Sequence, residues 1–250
     1  LCSDFLRADQ RNFHCWIYRS FVAKDSDVED ASELDFSTVK IQENFSNYSA
    51  FHYRSIYIAR WIGSALAEIS SKAERDHEYS SGAQGIAADH VPGVVELREC
   101  IVEELELVEN AIFTEPDDQS AWWYLRFVLQ LAHDLHRKTT QLTVIRKGGN
   151  ASDSDIGDDD VWYSEILHMQ RTSLAGLWEE EPDCKWCMLA LSDVLGSLAG
   201  ILTASTEEEQ EEQQADRTEI IAARKVLLNR LVEVDPAHRQ RYWYLSSIKS

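Results

Sequence analysis

Asn12-Phe13-His14-Cys15-Trp16-Ile17-Tyr18-Arg19 and Asn47-Tyr48-Ser49-Ala50-Phe51-His52-Tyr53-Arg54 are the two stretches whose reading decides the fold. Each opens on Asn and an aromatic, sets a large ring four residues after the Asn, and ends on Arg three residues later. The rings, Trp16 and Phe51, stand 35 residues apart, which is the length of one helical hairpin. A third copy, Pro116-Asp117-Asp118-Gln119-Ser120-Ala121-Trp122-Trp123-Tyr124-Leu125-Arg126, keeps the acid or amide start and the ring but moves Arg126 along by one place. Weaker echoes begin at Pro182-Asp183-Cys184-Lys185-Trp186-Cys187 and at Asp235-Pro236, each a turn of acid and proline ahead of a helical pattern.

The physics of the unit is that of a helix start. Asn or Asp accepts a hydrogen bond from the exposed N–H groups of the first turn, and the ring four residues on then faces inward. Asn12, Trp16 and Arg19, Asn47, Phe51 and Arg54, and Trp122 with Arg126 are accordingly architectural: the rings pack between hairpins and the arginines reach carbonyls or carboxylates of neighbouring helices. Between these motifs, apolar residues recur at three-and-four spacing, as in Val94, Leu97, Ile101, Leu105, Val108 and Ile112, and again in Leu191, Val194, Leu198 and Ile201. No alternating strand pattern interrupts them. The expected class is all-α, a right-handed α-α superhelix (solenoid) of helical hairpin repeats running over residues 1–250 as one domain.

Composition agrees. In 250 residues, 44% of them hydrophobic, there are only 10 glycines and 4 prolines, too few turn formers for a sandwich of many short strands. A net charge of −20 repels nucleic acid and anionic lipid, and no apolar run reaches the roughly 18 residues that span a bilayer. Five cysteines at irregular spacing make no even disulfide framework, which fits a reducing, cytoplasmic compartment. The opening at Leu1 is read as the cut end of a longer protein that lacks its amino-terminal repeats. Three stretches break the helical series. Residues 80–92 and 147–160 are expected as mobile surface loops, the second because its Asp and Ser cannot support a core. The acidic run Thr206–Asp216, with its EEEQEEQQ tract, is expected to begin a solvated helix, since Glu and Gln are good helix formers.

The Asn-aromatic-x-x-Trp-x-x-Arg core resembles the repeat of protein prenyltransferase α subunits. The wording of Asn12–Val22, of Asn44–Ser55 and of Glu104–Arg126 is similar to the type II geranylgeranyl enzyme in particular. The likeness is strong over Leu1–Arg126 and weaker beyond; Phe51 stands where Trp is usual and Cys184 where an amide is usual. What the resemblance implies is a division of labour. The α subunit is a crescent of hairpins around a β subunit that holds the catalytic zinc and the isoprenoid pocket, so this chain carries no cofactor and is inactive alone. Geranylgeranyl diphosphate and a Rab GTPase presented by an escort protein would be the substrates. His14 matches the family's diphosphate-contacting histidine and is the one catalytic candidate; without the resemblance it is a surface or capping residue at a helix start. The α subunit shared by farnesyltransferase and type I geranylgeranyltransferase, and a non-enzymatic helical-repeat scaffold, are the alternatives, although the fixed Gly, Ala and Pro places of a tetratricopeptide array are missing.

No metal site is expected. Cys184 and Cys187 have C-x-x-C spacing but no second pair, and His133 and His136 have no third ligand. Asp153, Asp155 and Asp158–Asp160 lack the ligand order of a calcium loop.

Overall fold

The computed structural model describes residues 2–79, 93–146, 153–201 and 207–247. Among them every regular element is helical: α1 (Cys2–Ala8), α2 (Phe13–Asp25), α3 (Asp30–Glu43), α4 (Tyr48–Tyr79), α5 (Val94–Thr114), α6 (Gln119–Arg146), α7 (Asp153–Glu180), α8 (Lys185–Ile201), α9 (Glu207–Val234), a 3-10 turn (Pro236–His238) and α10 (Arg239–Ser247). The protein is all-α and built of helical hairpins. It forms two compact units, Leu1–Gly149 and Asn150–Ser250.

One turn recurs five times. The N–H of Asn12, Asn47, Asp118, Cys184 and His238 each donates to the carbonyl three residues earlier, on Asp9, Asn44, Glu115, Glu181 and Asp235, at 3.1 Å in every case. These turns close the hairpins α1–α2, α3–α4, α5–α6, α7–α8 and α9–α10. The first three turns have working side-chain caps. Asn12 Oδ1 accepts from the Cys15 N–H at 3.1 Å, Asn47 Oδ1 from Ala50 at 3.2 Å, and Asp118 Oδ1 from Ser120 at 2.8 Å. Each side chain accepts from an N–H of the helix's first turn, and Cys15 and Ala50 share theirs with the cap residue's own carbonyl at 3.0 Å.

The rings then fold back on the turns. Trp16 Nε1 donates to the Gln10 carbonyl at 2.9 Å and Trp122 Nε1 to the Pro116 carbonyl at 2.7 Å, both six residues upstream. Phe51 has no N–H to donate and is fully buried against Tyr124, with ring centroids 5.1 Å apart. In the first unit α2 packs on α4 and α4 on α6, so the second helices of the three hairpins form one layer. Gly93 precedes α5 at φ 96°, where a side chain would be strained, and a β-carbon there would stand 3.1 Å from Ile69 Cδ1 of α4. In the second unit α8 lies between α7 and α9 and is the most apolar helix, burying Met188, Leu191, Val194, Leu195 and Leu198.

One expected loop is corrected. Residues 153–160 open α7 instead of lying in a loop over 147–160; carboxylates in the first turns of a helix complement its dipole, which offsets their poor propensity. Residues 80–92 and 147–152 lie outside the described residues. The Glu207–Glu212 tract is helical, as the opening of α9.

Candidate functional site

The three layered helices α2, α4 and α6 each turn one row of side chains away from the core. On α2 this row is Phe13, Ile17 and Phe21, which are 65%, 52% and 64% exposed. On α4 it is Tyr48, His52 and Ile56, and on α6 it begins at Trp123. The α4 and α6 rows meet in an aromatic band. Tyr48 stacks on His52 with centroids 5.9 Å apart, Trp123 lies 5.3 Å from Tyr48 and 6.0 Å from His52, and Phe127 stacks on Trp123 at 6.2 Å. Exposed aromatics gathered in this way, instead of scattered singly, make this face the candidate binding surface. His14 sits exposed in the first turn of α2, with its ring 5.9 Å from that of Phe13.

Behind that surface Arg19 and Arg54 each reach a buried carboxylate on a neighbouring helix, and a tyrosine of the next hairpin shares it. Arg19 grips Glu33 of α3 through two parallel bonds, Nε to Oε2 at 2.7 Å and Nη2 to Oε1 at 2.8 Å, and the Tyr53 hydroxyl of α4 donates to the same carboxylate at 2.5 Å. One hairpin further on the set repeats. Arg54 donates through Nε and Nη2 to Glu104 of α5 at 2.7 and 2.5 Å, and the Tyr124 hydroxyl of α6 to Glu104 Oε2 at 2.5 Å. Arg54 Nη1 also reaches the Leu34 carbonyl, Ser37 and Thr38. Arginine of one hairpin and tyrosine of the next thus clasp a carboxylate between them, and both carboxylates are almost wholly buried.

Burial works against the Arg54 charge, but the hydrogen bonds and charge of Glu104 more than offset it and hold its pKa above the usual arginine value. Burial pushes the Tyr53 and Tyr124 hydroxyls well above the usual tyrosine range, and Glu33 and Glu104 push them further. These phenols are fixed donors. Glu33, Glu104, Tyr53 and Tyr124 were missed in the sequence because they sit on different helices; the usable signal was a Glu fourteen residues before Asn47 and again before Asp118. Arg126 is exposed, and the place of Arg19 and Arg54 is taken by the buried Leu125.

Among the described residues no group of three or more His, Cys, Asp and Glu side chains could hold a metal ion. Cys184 and Cys187 are both buried, Cys187 Sγ donates to the Leu174 carbonyl at 3.3 Å, and burial raises its pKa to about 12, so it is a packed thiol and not a reactive one. His133 lies 3.8 Å from Asp134. A depression of about 650 Å³ between α1 and α3, lined by Arg7, Asp35, Phe36, Lys40 and Glu43, mixes both signs of charge and selects no ligand class. No helix among the described residues is long and apolar enough to cross a membrane.

The Protein prenyltransferase alpha subunit repeat matches residues 30–61 and 101–132, which are the segments that carry the Glu33, Arg54, Glu104 and Trp122 contacts. The chain carries prenyltransferase α-subunit repeats. It is related to geranylgeranyl transferase type-2 α subunits: that of Rattus norvegicus is 44% identical over 137 residues, covering 54% of this chain and 20% of the rat protein. Those of Candida albicans and Schizosaccharomyces pombe are each 27% identical, over 96% and 95% of this chain and 59% and 57% of theirs. The chain therefore spans about a fifth of the rat α subunit in the matched region and less than three fifths of the fungal ones. Among solved structures, Candida albicans protein geranylgeranyltransferase-I complexed with GGPP is 15% identical over 98% of this chain and 82% of that one, with a TM-score of 0.25, too low to bear on how the α-subunit repeats are arranged.

Proposed function

We propose that this chain is part of the α subunit of a type II protein geranylgeranyltransferase, acting with a β subunit to transfer geranylgeranyl groups from the diphosphate to carboxy-terminal cysteines of Rab GTPases presented by an escort protein. The observation that supports this reading is the exposed aromatic band of Tyr48, His52 and Trp123, on helices whose sequence matches the α-subunit repeat, together with the exposed row of Phe13, Ile17 and Phe21 on α2. That face is where the β subunit docks. In this reading the zinc would be held by the β subunit, where it would favour the thiolate form of the substrate's cysteine.

In the transfer, a bond forms between the substrate sulfur and C1 of the isoprenoid, the C1–O bond breaks, and diphosphate leaves with the electron pair. Negative charge on the diphosphate grows as the bond breaks, and a donor already aimed at it lowers the barrier without reorganising. His14 is that donor, since an imidazole N–H can donate to a phosphate oxygen and its ring stands clear of the core. Arg19, five residues later on α2, contributes indirectly: its grip on Glu33 fixes the helix on which His14 rides.

The test uses the full-length subunit assembled with its β partner. His14→Ala should slow single-turnover transfer by an amount equivalent to about 1–3 kcal/mol while the heterodimer still forms. Transfer at the parent rate across the histidine titration range would reduce His14 to a helix-start residue. Trp16→Ala is the contrasting variant: it removes buried packing worth roughly 3–5 kcal/mol and should appear as lost assembly, not as slowed chemistry. One tightly held zinc per isolated α chain after dialysis would overturn the division of labour.

A further inference from the structure

Arg19 lies downstream of His14 on α2, so its clasp on Glu33 would by itself leave the first turn of the helix free to pivot. A separate set of contacts holds that turn at its root. Gln10 and Arg11 stand in the turn between α1 and α2, and both are bonded to the matching turn between α3 and α4. The Gln10 side-chain oxygen accepts from Asn44 Nδ2 at 2.7 Å, the Gln10 carbonyl from Asn47 Nδ2 at 3.2 Å, and Arg11 Nη2 donates to the Ser46 carbonyl. The same Gln10 carbonyl takes Trp16 Nε1 at 2.9 Å, so one oxygen joins the ring of its own hairpin to the cap of the next.

This seam is not a general feature of the repeat. At the matching places of the next pair of turns, Phe45 stands for Gln10, Glu115 for Asn44 and Asp118 for Asn47. A phenylalanine side chain has no acceptor and a carboxylate no N–H, so neither side-chain contact to Gln10 can recur there. The bridging residue at that second seam is Ser46, which donates to Glu115 and whose carbonyl accepts from the Ser120 hydroxyl at 3.3 Å. The seam with the larger set of side-chain ties is the one whose residues run directly into His14.

We propose that Gln10 and Arg11 are positioning residues for prenyl transfer: tied to the α3–α4 turn, they fix the first turn of α2 so that the His14 imidazole is aimed at the departing diphosphate. This rests on the role given to His14 above. Held at Arg19 alone, α2 keeps a pivot; held also at its root, it has a fixed axis. A donor set on charge that grows in the transition state loses much of its effect when displaced by about 1 Å, so the precision of that axis is felt in the chemical step.

The test is single-turnover transfer by the full-length subunit assembled with its β partner. Gln10→Met with Arg11→Ala removes both side-chain ties and leaves the Gln10 carbonyl, with its Trp16 and Asn47 bonds, in place. Transfer at saturating substrate should slow by about 5- to 30-fold, while affinity for the β subunit and KM for the protein substrate stay within about twofold of the parent. Arg11→Lys, which keeps a donor for the Ser46 carbonyl, should stay within about twofold of the parent rate. On a His14→Ala background the double substitution should cost less than about twofold more, because residues that act through one group are not additive. A double variant that transfers at the parent rate overturns the proposal. So does an equal loss with His14 already removed, or lost assembly in place of slowed transfer. His14→Ala at the parent rate is a different outcome: it removes the role of His14 itself, and this proposal with it.

Discussion

The two units build the same hairpin with opposite interiors. In Leu1–Gly149 the hairpins are tied by buried charge, Arg19 and Tyr53 on Glu33 and Arg54 and Tyr124 on Glu104. In Asn150–Ser250 the matching places hold Gln170, Ala190 and Leu191, all buried, and the ring four residues after the cap has become Met188. Gly196 of α8 leaves room for the Arg224 side chain of α9, with the guanidinium carbon 3.1 Å from where a β-carbon would stand. The backbone turn is nonetheless the same in both units, at 3.1 Å. A buried ion pair is thus one solution to filling this space and not a condition for it. Its desolvation cost nearly cancels its attraction, and what it adds is register, because a bidentate clasp fits only one pairing of helices.

The largest effect should come from breaking a clasp on one side. Glu104→Ala strands the buried Arg54 guanidinium and should cost about 3–5 kcal/mol, seen in the full-length protein as faster hydrogen exchange in α4 and α6 while α8 is unchanged. A loss below about 1 kcal/mol would mean the clasp is ornamental. A smaller loss is expected from importing the second unit's solution. Arg54→Leu combined with Glu104→Gln removes both charges and leaves an acceptor for Tyr124, so stability to urea should stay within about 1–2 kcal/mol of the parent. If the double variant is as damaged as Glu104→Ala, the two interiors are not interchangeable.

Alkaline pH separates the units more gently. Tyr53 and Tyr124 have folded pKa values raised above their unfolded ones, so their contribution is complete below the ordinary tyrosine pKa of about 10 and is lost as pH rises toward the higher folded values. Tyr53→Phe with Tyr124→Phe should flatten the fall in melting temperature above about pH 10, at the cost of a lower value at neutrality.

The smallest effect belongs to the last hairpin, where the Tyr242 hydroxyl at 2.7 Å and His238 Nδ1 at 3.0 Å bond to Asp235 and hold its pKa below the usual carboxylate value. A depressed carboxylate contributes stability above its unfolded pKa of about 3.9 and loses it as pH falls through the folded value. Exchange in α10 should therefore quicken below about pH 4, and Asp235→Asn should abolish that pH dependence.

The hairpin periodicity and the caps were legible in the residues because both are local. A cap reaches three residues forward, and the amphipathic period spans two turns of one helix, so Asn12, Trp16, Asn47 and Trp122 announce themselves. Helix continuity was less legible. Residues 153–160 read as a loop by composition, yet an acidic stretch suits the start of the helix it precedes. That the arginines would seek carboxylates was legible, but which carboxylate and tyrosine each would meet was not read, since Glu33 and Tyr53, or Arg54 and Glu104, are separated by 20 and 50 residues and meet only when three helices pack.

Tyr18 and Tyr53 show where the boundary falls. They hold the same place in the same motif, six residues after an asparagine cap, yet one is 54% exposed and the other 3%. The sequence by itself determined that both sit on the same face of a capped helix, because that follows from the rise and period of the backbone. Whether the face meets water or a carboxylate was decided only by tertiary structure: burial is a property of the neighbouring helix, and no local interaction of the tyrosine encodes it.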